Sequence, residues 1–149
     1  AISDEIKTGI FRRFGFRLKG GAFLSSKSMY FMDHKHFMGN QTIYSTNDYL
    51  NSFRLLPYYT FSTNKWFTEA HAEHHFLGLL TNKIPLLKQT GAQEVIGVHY
   101  LSNELLQNYV ELNFGLEKVF RILRFDYVIA NSSGNTFRQG FTFGINLSL

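Results

Sequence analysis

No cysteine occurs among the 149 residues, which excludes disulfides and thiolate metal sites. No segment approaches the roughly 18 consecutive apolar residues that a membrane-spanning helix needs, so a helical membrane protein is not expected. The opening residues 1–8, AISDEIKT, lack the charged start and apolar core of a secretion signal. An exported chain of this kind is therefore expected to begin inside a longer protein. No run of five or more like charges appears, and 15 Lys and Arg against 11 Asp and Glu give a net charge of only +4. That balance does not point to a nucleic-acid partner. Two strong signatures of hydrolytic chemistry, His-Glu-x-x-His and Gly-x-Ser-x-Gly, are missing. Internal repeats, low-complexity tracts and linkers are missing as well, and the length suits one domain.

Aromatic side chains are what the sequence has in excess. Sixteen Phe, eight Tyr and one Trp make 17% of the chain, against two Pro. Phe and Tyr favour pleated, half-buried surfaces, so the composition leans all-β. The pattern agrees. Phe137, Phe141, Phe143, Ile145, Leu147 and Leu149 alternate with Arg138, Gly140, Thr142, Gly144, Asn146 and Ser148, a strict period of two. A turn signal at Asn131-Ser132-Ser133-Gly134-Asn135 precedes it, and before that Leu123, Phe125, Tyr127 and Ile129 oppose Arg124, Asp126, Val128 and Ala130. The two segments read as an antiparallel hairpin.

Further strands are expected upstream. Val110, Leu112, Phe114 and Leu116 oppose Glu111, Asn113 and Gly115, and residues 94–101 carry Ile96, Val98 and Tyr100 on one side. Residues 66–80 read as a longer strand with Glu69, His71, Glu73 and His75 on a polar face. An early strand is expected over about 9–24, where Phe14, Phe16 and Leu18 oppose Arg13, Arg17 and Lys19. The connector 82–88 suits a short helical turn. Residues 25–62 hold a long loop, polar and aromatic, and loops of that length are usually functional or mobile.

Alternation alone leaves open which face meets water. A soluble, lipocalin-like ligand-binding barrel would turn its apolar face inward. A membrane barrel would turn it out to lipid, over strands of about 10 residues with aromatic ends. The small neutral residues Gly140, Thr142, Gly144, Asn146 and Ser148 suit a packed lumen better than a solvated surface. The expected fold is therefore all-β, an antiparallel transmembrane β-barrel segment. Its six or seven strands would form part of a larger barrel. Trp66, Phe67 and Tyr100 are expected at the membrane interface.

The chain end, Thr142-x-Gly144-x-x-Leu147-x-Leu149, resembles the C-terminal targeting signal of outer-membrane barrels, with Leu where Phe is commoner. The order of segments resembles the C-terminal half of the BamA/TamA-like outer-membrane assembly and translocation superfamily. Its Phe-x-Gly-Gly loop opening is matched by His36-Phe37-Met38-Gly39-Asn40, and its Glu-x-Arg-Phe strand by Glu73-His74-His75-Phe76. Ile96-Gly97-Val98-His99-Tyr100, Asn113-Phe114-Gly115-Leu116-Glu117 and Arg121–Tyr127 follow in the family's order. The family's Arg-Gly-Phe loop signature is not present; Arg54, in Ser52-Phe53-Arg54-Leu55, is nearest to it.

The wording is closer to a Bacteroidetes branch of outer-membrane proteins of unsettled function, which often carry a carboxypeptidase-regulatory-like domain at the N-terminus. Asp33-x-x-His36-Phe37-x-Gly39-Asn40, Leu56-Pro57-Tyr58-Tyr59 and Asn82-Lys83-Ile84-Pro85-Leu86-Leu87 carry that likeness. The resemblance implies a non-enzymatic barrel of about sixteen strands in the bacterial outer membrane, without a cofactor. The loop would fold into the lumen, and the last strand would close a seam. Outer-membrane lipid, the assembly machinery through the C-terminal strand, and client envelope proteins would be partners. A solute-transport barrel or pore is the alternative.

Three groups of residues are candidates for a site. The loop motif comprises Asp33, His36, Phe37, Gly39, Asn40 and Arg54. A polar stripe facing the lumen comprises Glu69, His71, Glu73, His75, Arg124 and Asp126. His71, Glu73 and His75 share a strand face, as zinc ligands can, but no specific metal signature supports them and no metal is expected. Arg54, Arg121 and Arg124 are expected in inward ion pairs, with Arg54 docking the loop on Glu69, Glu73 or Asp126. The targeting signal, Thr142, Gly144, Leu147 and Leu149, is the third group.

Overall fold

The computed structural model describes residues 2–7, 13–23, 30–40, 42–44, 49–59, 61–76, 78–105, 108–133 and 136–145. Seven strands form one sheet: β1 (Ile2–Lys7), β2 (Arg13–Ala22), β3 (Trp66–His75), β4 (Gln93–Asn103), β5 (Tyr109–Val119), β6 (Leu123–Ser132) and β7 (Thr136–Ile145). Neighbours in sequence are neighbours in space, and every pair is antiparallel. The sheet is open, with β1 and β7 at its edges. It is all-β as expected, but closure into a barrel is not seen.

Some boundaries differ from expectation. The early strand occupies 13–22 within the described residues, and β1 adds a partner where no alternation had marked one. The strand expected over 66–80 stops at His75. Beyond it Gly78 takes a left-handed φ of 93°, and a 3-10 turn covers Thr81–Lys83. The carboxylate of Glu94 receives the backbone N–H groups of Gly78, Leu80 and Thr81, which curls this segment away from the ladder. A short helix, α1 (Pro85–Thr90), begins on proline and ends at Gly91 in the left-handed region, the expected punctuation of a helix. No described helix is long and apolar enough to cross a membrane.

The two faces of the sheet differ in an unusual direction. On one face Ile96, Val98, Leu112, Phe114, Phe125 and Phe141 are exposed, with Phe141 at 74%. These pair across strands as Ile96 with Phe114, Val98 with Leu112, and Tyr127 with Phe141, whose rings lie 5.0 Å apart. On the other face Glu69, His71, Glu73, His99, Glu111, Asn113, Arg124 and Asp126 are buried. The described parts of the loop between β2 and β3 cover that polar face. Phe37, Phe53 and Leu56 of the loop pack with Leu101, Tyr109 and Ala130 of the sheet. Phe67 belongs here too, 5.7 Å from Phe37. It therefore faces the covered side and not a membrane interface, because strand alternation puts it with Glu69 and opposite Trp66.

Candidate functional site

The site is a buried network of charges between the loop and the polar face. Strand register sets its frame. His71 on β3 pairs with His99 on β4, and His99 with Glu111 on β5. One rung beyond, Glu73 pairs with Gly97, and Gly97 with Asn113. Side chains at paired positions share a face, so these groups converge. Gly97 makes room: a Cβ there would meet the Asn113 amide oxygen and the Glu73 Cγ.

Glu73 is the hub. Its carboxylate receives Arg54 Nη2 at 2.7 Å from the loop and Arg124 Nη2 at 2.9 Å from β6. Arg124 also donates its Nε to Asp126 at 2.8 Å. Two guanidiniums thus face two carboxylates, with Arg54 Nε 3.9 Å from Asp126. All four residues are at most 2% exposed, so compensation must come from within the network. A buried charge left without a partner costs several kcal/mol, about 3–5 in measured cases. The loop backbone is held by a second carboxylate: Glu111 receives the N–H groups of Arg54 and Leu55, each at 2.8 Å, and the Tyr109 hydroxyl at 2.5 Å.

A directional chain runs from Arg54. Arg54 Nη1 lies 2.6 Å from His99 Nε2. A guanidinium can only donate, so that ring nitrogen accepts and the His99 proton sits on Nδ1. His99 Nδ1 then donates to His71 Nδ1 at 2.7 Å, and His71 Nε2 donates to Glu69 at 2.8 Å. Arg54 at one end and Glu69 at the other set these tautomers, and the Asn113 amide oxygen, 3.1 Å from His99 Nε2, then meets it acceptor to acceptor. Phe53 packs at an angle against this pair, its ring 4.8 Å from His71 and tilted 52° to it. Tyr49 covers the other end, its ring 3.6 Å from the Arg124 guanidinium carbon. Burial pushes the Tyr49 hydroxyl up to about 12, against the opposing pull of Arg124.

Arg54 meets Glu73, with Asp126 nearby, and does not meet Glu69. Arg124 and Asp126 pair with each other on the buried face. Arg121 does not join them: it is exposed in the turn between β5 and β6 at a φ of 72°. The expectation fails because the strand ends at Val119, before alternation could turn Arg121 inward. His75 bonds Glu117 at 2.8 Å, while His71 turns to Glu69 and His99. His71, Glu73 and His75 therefore do not aim at one point, and no described group of three could hold a metal ion.

The other loop residues shape the loop itself. Asp33 accepts from the Tyr30 N–H at 3.2 Å, and His36 bonds the Ser62 hydroxyl at 2.7 Å. Asn40 donates its side-chain amide to the Tyr44 carbonyl at 3.0 Å. Phe37 is buried in the cluster between loop and sheet, and a Cβ on Gly39 would strike the Leu56 carbonyl. Of the C-terminal signal, Thr142 and Gly144 lie on the covered face, and Leu147 and Leu149 fall outside the described residues. His99, Glu111, Asn113, Glu117 and Tyr49 were not singled out from the sequence. For the first four, the period-two pattern already put them on the polar face.

The fold and site define an antiparallel meander whose charged face is buried under its own loop and whose apolar face is bare. Residues 1–116 match the model of the Family of unknown function (DUF5686) C-terminal domain, and the chain belongs to that family. No curated protein and no solved structure matches the chain.

Proposed function

We propose that the chain is part of the wall of a non-enzymatic bacterial outer-membrane β-barrel, similar to the assembly and translocation superfamily. The loop over 30–62 lies on the lumen side, latched by Arg54. The observation that carries this reading is the inversion of the faces: Phe114, Phe125 and Phe141 are exposed while Glu73, Arg124 and Asp126 are buried. A water-soluble sheet gains stability by burying the apolar face. A lipid-facing wall leaves it bare and keeps charge inside, where lipid does not reach. A soluble, lipocalin-like barrel would need the opposite arrangement.

The consecutive strand order suits a barrel wall, and in lipid the β1 edge and the β7 edge, apart from Phe143, whose N–H already bonds the Ile43 carbonyl of the loop at 2.8 Å, would need partners. The reading therefore requires strands beyond these seven. Client envelope proteins and the assembly machinery would act at the β7 edge.

Fractionation of cells making the full-length protein tests this. The expected result is recovery in the outer membrane, resistance to carbonate extraction, and a gel mobility that shifts on boiling. A folded, monodisperse protein recovered from the soluble fraction without detergent would overturn it.

A further inference from the structure

The turns at the other end of the sheet, away from the covering loop, carry chemistry that the latch does not use. The β3–β4 connection holds the 3-10 turn and α1, and the β5–β6 connection is the tight turn around Phe120. The two are tied together: the Phe120 N–H donates to the Thr90 carbonyl at 3.0 Å. Solvated turns favour Gly, Asn, Asp and Ser. Here Leu80, Ile84, Leu86 and Phe120 stand at the tips, with Leu86 at 76% and Phe120 at 67% exposed.

The Phe120 turn is also strained. Lys118, Phe120 and Arg121 have φ values of 56°, 50° and 72°, a region where side chains other than glycine sit at a cost. Strain kept at an exposed tip is a reason to look for a role.

The charge on these turns is of one sign. Lys83, Lys88, Lys118 and Arg121 have no ion-pair partner among the described residues. The nearby carboxylates are engaged elsewhere: Glu94 receives backbone N–H groups, and Glu117 bonds His75. Apolar tips beside uncompensated cations, at the end of strands whose outer faces carry Ile96, Phe114 and Phe125, fit a membrane interface.

We propose that this end of the sheet is an anchor for anionic phospholipid. Leu80, Ile84, Leu86 and Phe120 enter the boundary of the acyl chains, and the four cations hold headgroup phosphates. The proposal rests on the membrane-wall reading and deepens it by naming the lipid. Attraction of cations to an anionic leaflet is appreciable for each Lys or Arg at the surface.

The test uses the full-length protein carrying Phe120→Trp, in phosphatidylcholine vesicles doped with brominated phosphatidylglycerol or, separately, brominated phosphatidylcholine at equal mole fraction. The added tryptophan signal is the difference from the parent protein. The expected result is quenching about threefold stronger, or more, by the anionic brominated lipid. Combining Lys118→Glu with Arg121→Glu should bring the two lipids level. Equal quenching in the starting protein would overturn the headgroup assignment. No quenching by either lipid, in protein that resists carbonate and shifts on boiling, would overturn the anchor and leave the wall reading intact. Protein that fails to integrate at all would instead remove the wall reading, and the anchor with it.

Discussion

Within the same strands, Glu73, His99, Glu111 and Arg124 lie buried beneath the loop while Ile96, Val98, Phe114 and Phe125 stand exposed on the opposite face. The covered face is specific. Each charge there has named partners at hydrogen-bond distance, and the register of four strands sets who meets whom. The bare face is generic: its aromatic and aliphatic pairs need only shape and apolar character. In a sheet of this kind the apolar face says what surroundings it suits. The polar face says which loop conformation it holds. Buried ion pairs add little net stability, but they penalise every arrangement that breaks them.

The largest effect is expected from removing the hub. Glu73→Ala leaves Arg54 and Arg124 buried with one carboxylate fewer, at a cost of about 3–5 kcal/mol. The temperature at which the gel mobility shifts should fall, and protease should cut the loop around residues 49–59. A variant as heat-stable and protease-resistant as the parent would show that the covered face is no more specific than the bare one.

The bare face gives the next effect, and here the surroundings decide the size. Phe114, on β5, is 48% exposed. If it faces lipid, Phe114→Arg should cost about 2–4 kcal/mol near the bilayer midplane. In water the same change at an exposed position would fall within about 0.5 kcal/mol. Phe114→Leu should be nearly silent in either setting. Equal stability of the Arg and Leu variants in bilayers would take the apolar face out of lipid.

Much of the sheet was legible in the sequence because a period of two is a direct record of two unlike faces. Leu112, Phe114 and Phe125 on one side, and Glu73 and Arg124 on the other, could be sorted without coordinates. The partner of Arg54 was narrowed to three carboxylates by charge alone. Other features left no periodic trace. β1 mixes Ser3, Asp4 and Glu5 with Ile2 and Ile6, as edge strands do, and it is defined by pairing with β2. The end of β3 depends on Glu94, a residue 19 positions beyond His75, capturing backbone N–H groups. The His71–His99 contact and the grip of Glu111 on the loop backbone depend on the pairing register between strands. Single-strand alternation does not encode that register.

The smallest effect should come from Tyr49, where the covered face holds a ring and not a charge. Its hydroxyl has no hydrogen-bond partner among the described residues, while its ring lies over Arg124 and 5.3 Å from the Arg54 guanidinium carbon. Tyr49→Phe keeps the ring–cation contact and removes a buried hydroxyl without a partner, so at neutral pH it should stabilise the docked loop by about 1 kcal/mol. Alkaline pH separates the two. Burial raises the folded hydroxyl from its ordinary value of 10 to about 12. The neutral form is thus favoured in the docked loop, so its contribution is complete below pH 10 and is lost as pH rises from 10 towards 12. Protease accessibility of the loop should climb across that interval in the parent and climb less in Tyr49→Phe, the difference isolating Tyr49 from other alkaline titrations. Parallel curves would mean that the docked loop does not bury the Tyr49 hydroxyl, and the specificity of the covered face would then rest on its ion pairs alone.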